Sequence, residues 1–292
     1  MNKIVIILVV LSALMHALRN FFTKKAYDKQ AFVWWYEVFG LLFFTPVFAF
    51  VLFSEGFDFS ISFFIVLLSG VIHFLYWFFL AKSLENGELS LVYPIMRSSP
   101  ALVLVFSITI LGEKVSLLGG FGIFFVAFGV YTINMEKISV SELYRPIKAM
   151  GSDRATQFAL MTLISVAAYS VIDKIAVEQM NAVIFAYLYP WFSLLLYTFY
   201  IQRVKHKGEL RKEWAVDKKI ILACGFLSIF GYFLILLAFT IERVSYIVGL
   251  RQLSIVFAVF LGGQVLKEKN RMIRFSASLI IFFGAFLIAV AE

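Results

Sequence analysis

Ten long apolar runs follow one another along the chain, and they restrict its fold more than any other feature. Each run holds about 20 residues, the length that an α-helix needs to cross the hydrocarbon core of a bilayer. The pattern predicts an all-α integral membrane protein with ten transmembrane helices. The runs lie at 3–22, 31–53, 60–82, 89–111, 116–135, 156–177, 181–203, 217–241, 244–265 and 271–291.

The composition agrees with a chain that is solvated by lipid. Hydrophobic residues make up 62% of the chain and charged residues 15%, whereas a soluble domain has roughly 45–50% and about 25%. Cys224 is the single cysteine and the three histidines are widely spaced, so we expect no disulfide and no metal site. No nucleotide-binding motif occurs. We therefore expect no cofactor and no enzymatic activity.

The positive residues predict the orientation of the chain. The net charge of +8 lies mainly in short segments between the apolar runs, which indicates membrane topology rather than nucleic-acid binding. The segments after odd-numbered runs carry 19 Lys and Arg, and the other side carries four. Positive residues favour the cytoplasmic side. We therefore expect a multi-pass protein of the cell membrane (the cytoplasmic membrane in a prokaryote) with both termini outside the cytoplasm.

The two halves of the sequence resemble each other. The clearest of four matching landmarks are Arg97 with Arg251, and residues 111–114 (LGEK) with 266–269 (LKEK). We divide the chain into a first repeat (1–135), a polar connector (136–155) and a second repeat (156–292). Because five helices is an odd number, the second repeat must be inverted, which is a transporter architecture with a central site. Runs five and ten contain no ionisable residue well inside the span, and we expect them to be peripheral.

The same residues point to a known family. Residues 93–100 (YPIMRSSP), followed by LGEK at 111–114, resemble the first EamA repeat of the drug/metabolite transporter superfamily. The stretch from Val244 through LKEK to Gly284 resembles the second. The resemblance implies secondary transport of a small metabolite. The family is usually pictured with both termini inside the cell, whereas the charge bias predicts the opposite.

Arg97 and Arg251 lie inside apolar runs at equivalent positions of the two repeats, each on the order of 10 Å below the membrane surface. A charged group at the centre of a span costs about 2.5–3.5 kcal/mol and usually faces a cavity or a partner. The pair could bind a carboxylate or phosphate. The alternative is a structural salt bridge, or a side chain that reaches the interface. Pro94, Pro100 and Gly249 flank the arginines and are predicted hinges.

Glu37 is the only acidic residue well inside the apolar runs of the first repeat. It is either a proton-coupling carboxylate or a fixed counter-ion for Arg97 or Arg19. His73 shares a helical face with Tyr76 and Trp77, as a wall of the site or as a packing histidine.

Polar stripes on runs one and six should also point inward. They include His16, Arg19 and Asn20 on run one, and Tyr169 and Asp173 on run six. For Arg19 and Asp173, which lie near helix ends, snorkelling or capping is the alternative. The complete predicted substrate site consists of Arg97, Arg251, His73, Tyr76, Trp77, Tyr93, Gln252, His16, Asn20 and Tyr169.

Two further groups are interpreted as structural. Gly119, Gly120, Gly122 and Gly129 in run five should serve helix packing. Glu113 and Glu268, at the ends of runs four and nine, are explained by capping or by pairing across a short turn.

The sequence thus favours a transporter of a small organic anion or zwitterion that works by alternating access. A flippase for a lipid-linked phosphate and a non-transporting membrane scaffold or sensor are the alternatives. The expected partners are the substrate and the lipid bilayer, with protons as a candidate coupling ion and no nucleic acid.

Overall fold

The fold was analysed in a computed structural model. The structure describes residues 1–55, 62–86, 92, 95–133, 135, 139, 141, 143–144, 148, 153–204, 207–265 and 271–291. Eleven helices of eight residues or more lie in these ranges, and no strand occurs among the same residues. They are α1 (Lys3–Lys25), α2 (Lys29–Glu55), α3 (Ser62–Asn86), α4 (Ser99–Leu111), α5 (Leu117–Thr132), α6 (Arg154–Gln179), α7 (Ala182–Val204), α8 (Lys207–Ile241), α9 (Val244–Arg251), α10 (Leu253–Val265) and α11 (Arg271–Val290).

Seven of the described helices are long and apolar enough to cross a membrane: α1, α2, α3, α6, α7, α8 and α11. Three shorter apolar helices accompany them, at Ser99–Leu111, Leu117–Thr132 and Val244–Val259. The predicted all-helical membrane class is therefore confirmed. The predicted total of ten crossings is not confirmed, because only seven of the described helices have the full length.

Side chains fix several helix starts. Asn2 Oδ1 accepts a hydrogen bond from Ile4 N at 2.9 Å at the start of α1. Asp153 Oδ2 accepts one from Thr156 N at 2.8 Å at the start of α6. Hydrogen bonds from Thr156 hold the pKa of Asp153 below its usual value. These bonds satisfy amide groups that a first helical turn leaves without partners.

The helix boundaries depart from the sequence prediction in two places. α8 begins at Lys207, ten residues before the predicted start at 217, and its backbone is non-helical at Asp217 (φ −118°, ψ 16°). The hydropathy of the sequence identifies only the part of a helix that lipid surrounds. It therefore did not predict the polar residues 207–216 as part of this helix. The predicted ninth run is two helices, because the chain turns at Gln252 between α9 and α10.

The helix contacts relate the two repeats to each other. α3 packs on α6 as α8 packs on α1, and α2 packs on α8 as α7 packs on α3. α4 packs on α6 as α10 packs on α1, while α5 and α11 pack on each other. Each of these contacts between the repeats thus has a counterpart in which the two repeats exchange roles. This symmetry is expected for two intertwined repeats.

Both chain ends lie at one end of the bundle. The Met1 amino group donates a hydrogen bond to the carbonyl oxygen of Ala291 at 3.1 Å. At the other end, Glu213 accepts a hydrogen bond from Asp28 N at 2.6 Å, which joins the start of α8 to the turn between α1 and α2.

Glycines set the distance between α5 and α11. A Cβ atom at Gly284 would lie 2.6 Å from Gly122 O and 2.7 Å from Val126 N, and one at Gly129 would lie 2.9 Å from Ala277 O. Backbone atoms cannot move aside as a flexible side chain can. The predicted packing role is therefore confirmed for Gly122 and Gly129. It is wrong for Gly120, because a Cβ there would meet nothing within 4 Å.

We expect Gly284→Ala to destabilise the protein by about 1–3 kcal/mol, because overpacking forces two backbones apart. Gly120→Ala is the matched control, and it should be neutral or slightly stabilising because alanine favours a helix. Thermal unfolding in detergent measures both variants. Equal melting temperatures for the two variants would contradict the close α5–α11 contact.

Candidate functional site

Two cavities, of about 770 Å³ and 820 Å³, lie inside the bundle. Residues of α1, α2, α3 and α6 to α9 line the first cavity. Residues of α1, α3, α4, α6, α9 and α10, with Met96, Arg97 and Gln252, line the second. No residue of α5 or α11 is among the described lining residues. Four residues line both cavities, which therefore adjoin each other: His16, Tyr76, Tyr169 and Arg251.

The second cavity is cationic. Arg97 and Arg251 both line it, and its described lining residues include no carboxylate. His16, which lines both cavities, interacts electrostatically with Arg19, Arg97 and Arg251. Three guanidinium groups from three separate segments thus act electrostatically on one histidine. This charge favours the entry of an anion.

Arg251 lies where the two cavities adjoin and lines both of them. Its guanidinium carbon lies 5.0 Å from the centre of the Tyr232 ring. Within the described part of the chain, Arg251 has no hydrogen bond and no salt bridge. The structural salt bridge that the sequence left open for this residue is therefore not present among these residues. A cation–π contact stabilises a guanidinium without occupying its N–H groups, so they stay available to a ligand.

The regular helical hydrogen-bond pattern changes directly after each of the two arginines, although Gln252 keeps helical dihedral angles (φ −66°, ψ −10°). Residues 95–97 are helical, and Ser98 (φ −73°, ψ 13°) precedes the first residue of α4. Arg251 ends α9, and Gln252 forms the turn before α10. Interrupted helices surround substrate sites in many transporters, because they expose backbone groups at membrane depth.

Gln252 places an amide group in the second cavity. The residue is 6% exposed, and its Nε2 donates a hydrogen bond to Val248 O at 3.2 Å. Its Oε1 is buried and has no hydrogen-bond partner among the described atoms. A buried polar atom without a partner costs free energy, so a ligand that donates a hydrogen bond would relieve this cost.

A second charged group joins α1, α2 and α8 at the first cavity. Arg19 Nη1 donates to Ser228 Oγ at 3.1 Å, and Ser228 Oγ donates to Glu37 Oε1 at 2.9 Å. Arg19 Nη2 lies 2.9 Å from His16 Nδ1 and 3.4 Å from Asn20 Oδ1. Ser228 therefore links the charges of Arg19 and Glu37, and the Arg19 side chain turns into the bundle rather than toward the membrane surface.

Asp173 forms the centre of a third group, which we call the carboxylate cluster: Asp173, Ser69, His73 and Tyr232. Asp173 is fully buried. Its Oδ1 accepts from Ser69 Oγ at 2.6 Å, and its Oδ2 accepts from Tyr232 OH at 2.5 Å and from His73 Nε2 at 3.0 Å. The cluster joins α3, α6 and α8, and it supplies the donors that a buried carboxylate requires.

Aromatic rings enclose the imidazole of His73. Tyr169 stacks on it with the ring centres 4.1 Å apart, Tyr189 lies at 4.6 Å, and Tyr232 meets it edge-on at 5.6 Å. His73 is 8% exposed and lines the first cavity. The rings hold the imidazole plane in one orientation between the cavity and Asp173.

Comparison with known proteins identifies the family. A model of the EamA-like transporter family matches residues 3–135 and 154–290, which is nearly the whole chain. The chain belongs to the EamA-like transporter family. It is accordingly a multi-pass membrane protein of a family that transports small solutes. A solved structure described only as "Crystal structure of protein" is 14% identical, with a TM-score of 0.74 and 98% of each chain covered. This likeness shows the fold alone. The sequence matches no curated protein.

Most of the predicted substrate residues of this EamA-like chain reach the cavities. His73 and Trp77 line the first cavity, and Arg97 and Gln252 line the second. Asn20 accepts a hydrogen bond from Arg19 and is not among the described lining residues. Tyr93 and the predicted hinge Pro94 lie outside the described residues. Three predicted residues line both cavities, together with Arg251: His16, Tyr76 and Tyr169.

The remaining predicted residues lie near the cavities in other roles. Glu37 lines the first cavity beside Arg19, not beside Arg97. Pro100 lies in the first turn of α4. Gly249 lies inside α9, where a Cβ atom would come within 2.7 Å of Ile288 Cδ1 on α11. α9 ends two residues later at Arg251, while Gln252 keeps helical dihedral angles (φ −66°, ψ −10°).

Glu113 caps the helix that carries Arg251. Its Oε1 accepts from Val244 N at 2.6 Å, and its Oε2 accepts from the Ser245 hydroxyl at 2.6 Å. The structural interpretation of this family signature residue is thus confirmed, while Glu268 lies outside the described residues. A carboxylate at a helix N-terminus is also favoured by the helix dipole.

Sequence reasoning missed several residues of the site. Asp173 was expected to point inward, with capping or snorkelling as the alternative, and it is buried between three helices, but it was not included in the predicted site. Its spacing of four residues from Tyr169 on an otherwise apolar run was the available signal. Ser228, Tyr189 and Tyr232 gave no such signal, because a single hydroxyl in an apolar run is common.

We expect Ser228→Ala to destabilise the protein by about 1–3 kcal/mol, because Arg19 and Glu37 each lose a hydrogen-bond partner in a buried setting. Ser193→Ala is the matched control. Ser193 lines the same cavity and makes no hydrogen bond through its hydroxyl to the described residues. Thermal unfolding gives the melting temperature of each variant. If both variants melt lower than the wild type by the same amount, Ser228 does not link these charges.

Proposed function

We propose that this protein is a secondary transporter that moves a small organic anion across the membrane by alternating access. One observation carries the proposal: Arg97 and Arg251 line the same cavity, and no carboxylate lies among its described lining residues. Membership of the EamA-like transporter family supports transport of a small solute. The positive charge of the cavity indicates that this solute is negatively charged.

The chemistry of the arginines supports a carboxylate or a phosphate as the anionic group. A guanidinium presents paired N–H donors that match two oxygen atoms of such a group. Hydrogen bonds to charged groups contribute about 1.5–3 kcal/mol each. Arg97 and Arg251 come from different repeats, so an anion between them would draw the repeats together.

Gln252 and the aromatic residues support a substrate that carries a hydrogen-bond donor and an apolar part in addition to its anionic group. Gln252 Oε1 offers a buried acceptor beside the arginines, which suits an ammonium or hydroxyl group on the same substrate. Tyr76 and Trp77 offer apolar surface in the first cavity.

The arrangement of the two cavities supports alternating access. The four residues that line both cavities would form the barrier that a substrate must pass. Arg251 belongs to this barrier, so binding at Arg251 can change the barrier itself. The breaks at Ser98 and Gln252 are the positions where the segments that carry Arg97 and Arg251 can reorient.

We further propose that the end of the bundle opposite the termini faces the cytoplasm. That end carries the basic turn between α1 and α2 and the basic first part of α8, which includes Arg211. This arrangement follows the general bias of positive residues toward the cytoplasm.

Orientation can be tested with single cysteines, because the native Cys224 is buried and should react little. Lys114→Cys lies at the end that carries the termini, and Arg211→Cys lies at the opposite end. We expect a membrane-impermeant maleimide to label Lys114→Cys in intact cells, and to label Arg211→Cys only after permeabilisation. The reverse labelling would place both termini in the cytoplasm.

Transport of an anion can be tested first as binding. We expect at least one of glutamate, succinate and phosphoserine to raise the melting temperature of the purified protein, and glucose and choline to have no effect. Arg97→Gln and Arg251→Gln should weaken this binding about ten- to hundredfold, since each removes a charge-assisted hydrogen bond.

The control is Arg203→Gln, which removes an exposed arginine at the end of α7 and should bind as the wild type does. If no anion stabilises the wild type, or if all three variants bind alike, the arginines do not form a substrate site. A lipid phosphate that co-purifies with the wild type and is lost in Arg251→Gln would indicate a flippase instead.

A further inference from the structure

The carboxylate cluster is not explained by anion binding. Asp173 is fully buried and is not among the described lining residues of either cavity. A carboxylate inside a membrane protein is costly, and an asparagine could accept hydrogen bonds from Ser69 and Tyr232 without carrying a charge. The ionisable group therefore requires a reason beyond packing.

His73 connects Asp173 to the first cavity. Its Nε2 donates to Asp173 Oδ2 at 3.0 Å. Its Nδ1 has no hydrogen-bond partner among the described residues, and the ring lines the first cavity. An imidazole can accept a proton at one nitrogen and release one from the other, which is how histidine serves as a proton shuttle.

The groups that face this pair come from every helix packed around it. Ser69 on α3 and Tyr232 on α8 bond Asp173 directly, and Tyr169 on α6 and Tyr189 on α7 cover the imidazole. Two charged groups act from a distance: Glu37 on α2 interacts electrostatically with His73, and Arg251 on α9 lies over Tyr232. Lys174 turns away and donates to the carbonyl oxygens of Phe239 and Glu242.

We propose that Asp173 and His73 form a proton-binding site that exchanges its proton with the first cavity. A hydronium ion in the cavity transfers a proton to Nδ1 of His73, so that one of its O–H bonds breaks, an N–H bond forms and a water molecule is left. The proton that Nε2 already carries then passes to Oδ2 of Asp173, the Nε2–H bond breaks, and the imidazole is left neutral. The result is a neutral carboxylic acid where a carboxylate stood, with one proton taken from the cavity and no other species consumed.

The same site is linked to Arg251 through one residue. Tyr232 donates its hydroxyl to Asp173, and its ring lies beneath the guanidinium of Arg251. A neutral acid accepts hydrogen bonds less strongly than a carboxylate. Protonation therefore loosens Tyr232 and Ser69 together, and these two residues hold α8 and α3 against α6.

Proton binding at Asp173 thus acts on two helices that occupy equivalent positions in the two repeats. Together with the proposed anion transport, on which this step rests, it makes Asp173 the residue that couples a proton to the substrate. Proton binding itself can be measured without any substrate.

The first experiment measures the proton directly. Infrared difference spectra of the wild type in nanodiscs, recorded between high and low pH, should show the C=O band of a protonated carboxylic acid. The band should be lost in Asp173→Asn and retained in Glu37→Gln, the control at the half-buried carboxylate that lines the first cavity near His73. A band that persists in Asp173→Asn, or that is lost only in Glu37→Gln, would overturn the assignment.

The second experiment separates coupling from transport. In proteoliposomes, radiolabelled glutamate, succinate and phosphoserine are followed both in exchange across equal pH and in accumulation driven by a pH gradient. Asp173→Asn should retain exchange and lose the gradient-driven accumulation, and His73→Gln should slow the accumulation. Exchange in the wild type without any response to the gradient would overturn the proton site and leave anion transport in place. Absence of exchange in the wild type, with the infrared band present, would overturn anion transport alone.

Discussion

Lipid offers no hydrogen bonds, so every ionised side chain inside this bundle must be compensated by the protein itself. The structure meets this requirement in different ways at different places. Asp173 is surrounded by three donors, and Arg19 and Glu37 share Ser228. Arg251 instead rests on an aromatic ring, with its N–H groups uncommitted among the described residues. Arg251, which lies where the two cavities adjoin, is therefore stabilised by an aromatic ring and not by an ion pair among these residues.

The rest of the helix arrangement follows from keeping these groups away from lipid. α5 and α11 bring no residue to the described cavity lining, and they meet through glycines at backbone contact distance. Such a contact has little freedom to slide. Glycines also set close contacts between helices that carry the polar groups. A Cβ atom at Gly70 on α3 would lie 2.7 Å from Tyr189 O on α7, and one at Gly225 on α8 would lie 3.0 Å from Gly40 N on α2. Small residues thus fix helix distances around the cavities as well as at the periphery.

The sequence predicted the fold better than the site, for a physical reason. Hydropathy reports lipid contact directly, so α1 and α7 begin and end within three residues of the apolar runs. It could not report the first part of α8, which continues as helix where lipid no longer surrounds it. Arg97 and Arg251 were recognisable because an arginine in an apolar run is rare. The role of Asp173 depends on hydroxyl groups of two other helices, and no local pattern in its own run records them.

Each repeat contributes one arginine to the central region, Arg97 or Arg251, but only the second repeat contributes the carboxylate Asp173. This difference sets the number of such carboxylates for each pair of arginines. In the alignment that pairs residues 20–26 with 170–176, Asp173 corresponds to Thr23, whose hydroxyl donates to Arg19 O within its own helix. Two identical half-chains assembled head to tail would carry two such carboxylates, or none, for each pair of arginines. When the two halves are fused in one chain and their sequences differ, the molecule can carry a single carboxylate of this kind. A single cluster of the Asp173 type for each central site is therefore available only to a molecule whose two halves are not identical.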